Sequence, residues 1–147
     1  LNPPKTPKKK KRRKNRSQTK ESWKYVGAAF IKTFEFMQHP SAIIQHILPF
    51  IRAEGFLICG FLNAKSPFLE WRKQKKIYQM GTYYDEQAVH QLLKPFGKVT
   101  VNQAAFASPE MIQQNPEQTI LQYEITCHHE QKKEGAFIAA RVDFPSN

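Results

Sequence analysis

The chain has 147 residues, 40% of them hydrophobic, with 23 Lys and Arg against 12 Asp and Glu. That length points to one domain, and two cysteines, Cys59 and Cys127, are too few for a disulfide framework. No apolar run reaches the roughly 18 residues of a membrane span, and no signal-type apolar stretch follows the basic start, because Lys24, Lys32 and Glu35 interrupt it; the expectation is a reducing, cytoplasmic setting without a membrane.

The charge is unevenly spread. Residues 1–20 hold ten of the basic residues and no acidic one, which leaves 13 basic against 12 acidic in the remainder. Leu1 is the only large apolar side chain of that stretch. Such a segment cannot offset the entropy of ordering, so residues 1–22 are expected to form a disordered Lys/Arg-rich tail ahead of a domain at 23–147. Residues 5–20 can contact nucleic acid through counterion release. With no aromatic residue to stack on bases, that contact would be unspecific. The alternative is a solvated tail with no ligand.

Tyr25–Ile31 reads as a strand with Val26, Ala28 and Phe30 on one face and Tyr25, Gly27, Ala29 and Ile31 on the other. Both faces are apolar or small, as in a central strand. Thr33, Phe34 and Glu35 follow its carboxyl end, the side where open α/β sheets bind ligands. A helix is expected from Pro40 to Ala53, with Ile43, Ile44, Ile47, Leu48 and Ile51 on one face. Pro40 fits its first turn, whereas Pro49 should kink it. Gly55 sits where a helix end favours positive φ, and Phe56–Phe61 reads as a buried strand ending at Asn63.

A long loop, Leu62 to Tyr83, carries Trp71, Arg72, Lys73, Lys75 and Lys76 and is partly helical over 67–78. Its basic run is either a solvated face or a contact for an anionic group. Asp85 can cap a helix whose apolar face is Val89, Leu92, Leu93 and Phe96, closed by Gly97. Lys98–Phe106 reads as a strand and Ala107–Gln118 as a polar, turn-rich stretch. Leu121, Tyr123 and Ile125 alternate like a strand. The final strand, Ala136–Phe144, would pair with that one in an antiparallel hairpin. His39 with His46, and Cys127-His128-His129, lack the further ligands of a metal site, so no metal is expected.

This order, with TFEFMQHP, FIRAEGFLICGFLNAKSP, YYDEQAVHQLLKPFGKV and GAFIAARVDF in place, resembles the C-terminal half of class I S-adenosylmethionine-dependent methyltransferases, nearest the small-molecule type 11 group. Thr33-Phe34-Glu35-Phe36 and His39-Pro40 match the turn and helix start after that family's fourth strand. Arg52-Ala53-Glu54-Gly55 stands for its Arg-Pro-Gly-Gly-like turn and departs from it at two positions. Leu62-Asn63 with Ser66-Pro67 match the end of its fifth strand, and Gly135-Ala136-Phe137 its closing strand.

The resemblance, over residues 23–144, implies an α/β fold: a partial Rossmann-like methyltransferase sheet, strands four to seven with flanking helices. It implies S-adenosyl-L-methionine as cofactor and a small-molecule acceptor as substrate. Thr33, Phe34 and Glu35 are the implied cofactor contacts and Asn63 lines the substrate side. No catalytic base is implied, since methyl transfer from a sulfonium can proceed by alignment. The family's Gly-x-Gly cofactor loop has no counterpart, because no two of the six glycines are two apart. The chain therefore looks like a truncated methyltransferase, impaired alone. Its fourth strand would lack the neighbouring first strand, which predicts a partner covering the Tyr25–Ile31 edge, or low solubility. The competing expectation is a non-enzymatic α/β scaffold whose basic tail binds nucleic acid.

Overall fold

The structure, a computed structural model, describes residues 24–146. The basic tail expected over residues 1–22 lies outside the described residues. Strand β1 (Tyr25–Ile31) pairs in parallel with β2 (Ile51–Leu62). Helix α1 (Pro40–Ile47) and a 3-10 turn, Leu48–Phe50, connect them.

The helix expected to reach Ala53 thus stops at Ile47. Pro49 cannot donate a helical hydrogen bond and its ring collides with the preceding turn, so the chain leaves the helix there. Ile51 is already paired with Tyr25, and β2 begins well before the expected Phe56. The register then slips, since the next pair is Gly27 with Phe56. Extra β2 residues bulge at this point, and Glu54 takes φ 62°. The positive φ expected at Gly55 therefore falls one residue earlier. Gly55 is needed for room instead: a Cβ there would lie 2.5 Å from Ile51 Cγ2 and 2.7 Å from the Val26 carbonyl oxygen.

Two short helices follow β2, α2 (Phe68–Arg72) and α3 (Lys76–Gln79), then α4 (Glu86–Leu93). Asp85 caps α4, its Oδ1 accepting from the Ala88 N–H at 2.8 Å. Strand β3 spans Lys98–Ala104. Beyond it the turn-rich stretch and the strand expected around Leu121–Ile125 are both replaced by helices, α5 (Pro109–Gln114) and α6 (Glu117–His129). Ser108 accepts from the Met111 N–H at 3.0 Å, Pro109 occupies the first turn of α5 and Glu110 follows it. Pro116 and Glu117 repeat the proline and acid at the start of α6. These start signals outweigh the short alternation of Leu121, Tyr123 and Ile125.

Strand β4 (Phe137–Asp143) consequently has no hairpin partner before it. It runs antiparallel to both β2 and β3 and lies between them. The result is a mixed α/β fold with a four-stranded sheet in the order β1-β2-β4-β3 and flanking helices. The core fills one face of the sheet: Leu57, Cys59 and Phe61 of β2 and Ile138, Ala140 and Val142 of β4 meet Phe34, Ile44 of α1, and Val89 and Leu93 of α4. Among the described residues, no helix is long and apolar enough to cross a membrane.

Candidate functional site

The carboxyl ends of β1, β2 and β3 lie at the same end of the sheet, because Leu62 and Ala104 both pair with Phe137. At that end the chain leaves β1 through Lys32, at φ 52°, whose N–H donates to the Gly60 carbonyl at 2.9 Å. A 3-10 turn, Phe34–Phe36, follows.

The three candidate residues of this turn are placed differently. Thr33 is half-buried and its Oγ1 donates to the Ile31 carbonyl at 3.0 Å. Phe34 is fully buried and stacks on Phe30, with centroids 4.9 Å apart, and against Phe61 at 5.5 Å. Its ring belongs to the core and pins the turn from below. Glu35 is 1% exposed. Its Oε1 accepts from the Leu62 N–H at 2.6 Å, and its carbonyl accepts from the Thr82 N–H at 2.7 Å. Glu35 thereby joins the end of β1 to the end of β2 and to the segment entering α4.

Burial raises the pKa of Glu35 above its ordinary value, against the opposing pull of the Leu62 N–H. Burial and the Glu35 charge also raise Tyr83 and Tyr84. Glu35 Oε2 and Arg72 Nη1 are buried without a hydrogen-bond partner among the described residues.

Asn63, 1% exposed, directly follows β2. Its Nδ2 donates to the Gly135 carbonyl at 2.8 Å and to Gln103 Oε1 at 3.1 Å, with the Lys133 carbonyl at 3.2 Å. Its Oδ1 accepts from the Lys65 N–H at 3.0 Å. The side chain is a knot tying β2 to β3 and to the turn before β4. The network continues outward: Gln103 Nε2 donates to Glu86 Oε2 at 2.8 Å, and Lys133 Nζ lies 3.0 Å from both Glu86 oxygens. A cavity of about 510 Å³ opens beside this network, bordered by Asn63, Lys65, Glu86, His90, Val101 and Lys133.

Glu35 reaches Leu62, the residue before Asn63, so the four sequence candidates converge on one end of the sheet, but in two places. Thr33, Phe34 and Glu35 shape the turn after β1, whereas the Asn63 amide is turned toward β3 and borders the cavity. Gln103, Glu86 and Tyr83 were not foreseen, and Arg72 was expected only as one member of the basic run. One signal was available for Gln103, a polar residue continuing the Val99, Val101 face. No group of three or more His, Cys, Asp or Glu placed to hold a metal gathers among the described residues.

No protein-family model matches the chain, and no curated protein matches it. Among solved structures it is similar to a SAM-dependent methyltransferase of Thermotoga maritima, described as a possible histamine N-methyltransferase. The TM-score is 0.60 at 19% identity, over 80% of this chain and 55% of that one. The likeness is one of fold: the described sheet and helices are similar to the Rossmann-like fold of that methyltransferase. This chain spans about half the length of that neighbour.

Proposed function

We propose that this chain forms the acceptor-side part of an S-adenosylmethionine-dependent methyltransferase acting on a small molecule. The observation that supports it is the turn Phe34–Phe36 at the carboxyl end of a parallel strand pair, bound to β2 through Glu35, within a fold shared with a methyltransferase. In this reading the Thr33–Glu35 turn is the cofactor side and Asn63 fixes the acceptor side. S-adenosylmethionine would supply the electrophilic methyl group. The chain's own residues would hold the reactants in line: Phe34 and Glu35 lock the turn from beneath, and Asn63 holds the ends of β2 and β3 in register.

The described residues do not enclose such a cofactor. Its charged tail requires close backbone approach, and the glycines are spent elsewhere. Gly27 and Gly60 lie under the rings of Phe56 and Phe137, and Gly55 is packed against Ile51. The Thr33–Glu35 turn is one wall of a site, which predicts weak binding by the isolated chain. Calorimetric titration of the full chain with millimolar S-adenosylmethionine should give a small saturable heat that S-adenosylhomocysteine competes away. Absence of heat at that concentration would contradict the reading and leave the α/β scaffold.

A further inference from the structure

A groove runs along β3, at the end of the sheet away from β1. Two cavities of about 510 and 410 Å³ adjoin there and share Val101, Gln103 and Lys133. Helix α4 walls the first through Gln87, His90 and Gln91, and the end of α6 walls the second through His128 and His129. In the sheet order β2 and β4 separate β3 from β1, so the groove is distinct from the Thr33–Glu35 turn.

The floor between the two cavities is tied down. Asn63 and Gln103 are 1% and 8% exposed. Gln103 Oε1 accepts from the Asn63 amide and from the Gly135 N–H, both at 3.1 Å, and Glu86 holds Gln103 Nε2 and Lys133 Nζ. These groups are engaged with one another, so they give the groove its shape and leave recognition to others. Val99, Val101 and Phe106 add an apolar strip beside them.

Charge is balanced within the groove. Lys65 lies 3.4 Å from Asp85, Lys132 lies 3.6 Å from Glu130 and Lys133 lies 3.0 Å from Glu86. A phosphate or carboxylate would meet Glu86 beside cations that already have partners. The side chains left over are neutral. Gln87, His90, Gln91, Asn102, His128 and His129 are exposed and stand outside the floor network. An amide or a neutral imidazole offers both a donor and an acceptor. A hydroxyl matches both at once, whereas an apolar ligand would leave them without partners.

We propose that this groove binds a neutral, hydroxyl-rich ligand of more than one ring, a short oligosaccharide. Its hydroxyls meet the free amides and imidazoles, and its C–H faces lie on Val99, Val101 and Phe106. Each cavity has the volume of a small-molecule site, and the wall at Lys133 joins them as two subsites. The inference goes beyond methyl transfer and does not rest on it.

The test titrates the full chain with the neutral trisaccharides maltotriose, cellotriose and triacetylchitotriose, each to about 10 mM, which reveals a millimolar Kd. Expected are saturable backbone-amide NMR shifts from at least one of them, gathered at residues 86–91, 101–103 and 128–133. Gln91→Ala in the first cavity and Asn102→Ala in the second should each weaken that binding about three- to tenfold. Gln45→Ala, on α1 and outside the groove, should leave it unchanged. Circular dichroism identifies a variant that fails to fold, in which case the other variant decides. The proposal is overturned by no saturable shift from any of the trisaccharides, by shifts lying outside the groove, or by binding indifferent to both substitutions. Stronger shifts of the same residues by inorganic phosphate would overturn it too, and assign the groove to an anion. Tighter binding of the blocked peptide acetyl-Ser-Val-Ser-Val-Ser-amide would assign it instead to a strand added along β3, which among the described residues is paired on one side only. Titration with S-adenosylmethionine reads the turn after β1, so each of the two proposals can fail without the other.

Discussion

Glu35 is the residue on which the candidate site turns. Its carboxyl holds the Leu62 N–H, and its other oxygen is buried without a partner among the described residues. Because burial raises its pKa, the folded chain keeps this proton to a higher pH than the unfolded chain does. The unfolded state then binds fewer protons, so stability falls as pH climbs from the ordinary value of 4.5 through the raised one. Glu35→Gln removes that titration and keeps an acceptor for Leu62, so its stability should be flatter over this window. Glu35→Ala leaves the Leu62 N–H buried and unsatisfied, which costs about 1–3 kcal/mol. Urea unfolding from about pH 4 to about pH 8 checks both. Equal pH profiles for wild type and Glu35→Gln would show that the carboxyl does not titrate as described. The position of Glu35 past a strand end was legible from the sequence. Its inward rotation was not, because it depends on a backbone N–H 27 residues away.

At the scale of elements, the sequence reading succeeds where one local signal acts alone and fails where tertiary packing intervenes. Strand β1, the Asp85 cap and strand β4 were foreseen from period, cap chemistry and apolar runs. The join between α1 and β2 was not, because the bulge at Glu54 answers to the register with β1. This join yields a paired prediction. Gly55→Ala should destabilise by about 1–3 kcal/mol, since its Cβ meets backbone and side-chain atoms closer than van der Waals contact. Glu54→Gly should be neutral or stabilising by up to about 1 kcal/mol, because a non-glycine residue in the left-handed region is strained. Thermal unfolding of the two variants decides it, and the opposite ordering would mean that Gly55 is the turn residue after all. Helix α6 misled for a different reason. Its apolar residues Leu121 and Ile125 remain exposed and the only buried residue is Cys127, so burial periodicity carries little information there. Pro116 and Glu117 were the usable signal.

At the scale of the whole molecule, the described residues give the sheet one packed face, a second face that is apolar beside β1 and polar beside β3, with the Arg141 guanidinium 4.4 Å over the Phe56 ring, and candidate residues gathered at its carboxyl end. The motif order along the chain anticipated the fold. The make-up of the second face escaped the sequence reading because it depends on which strands become neighbours: Phe56 and Phe137 cover glycines that only pairing brings beside them. In the proposed reading, the chain keeps the acceptor side of a methyltransferase site and holds a cofactor weakly. Backbone-amide NMR of the full chain during titration with S-adenosylmethionine tests that account most directly. Shifts concentrated at Lys32–Phe36 and Leu62–Ala64 are the predicted result; no shifts at millimolar cofactor, or shifts confined to α5 and α6, would contradict it.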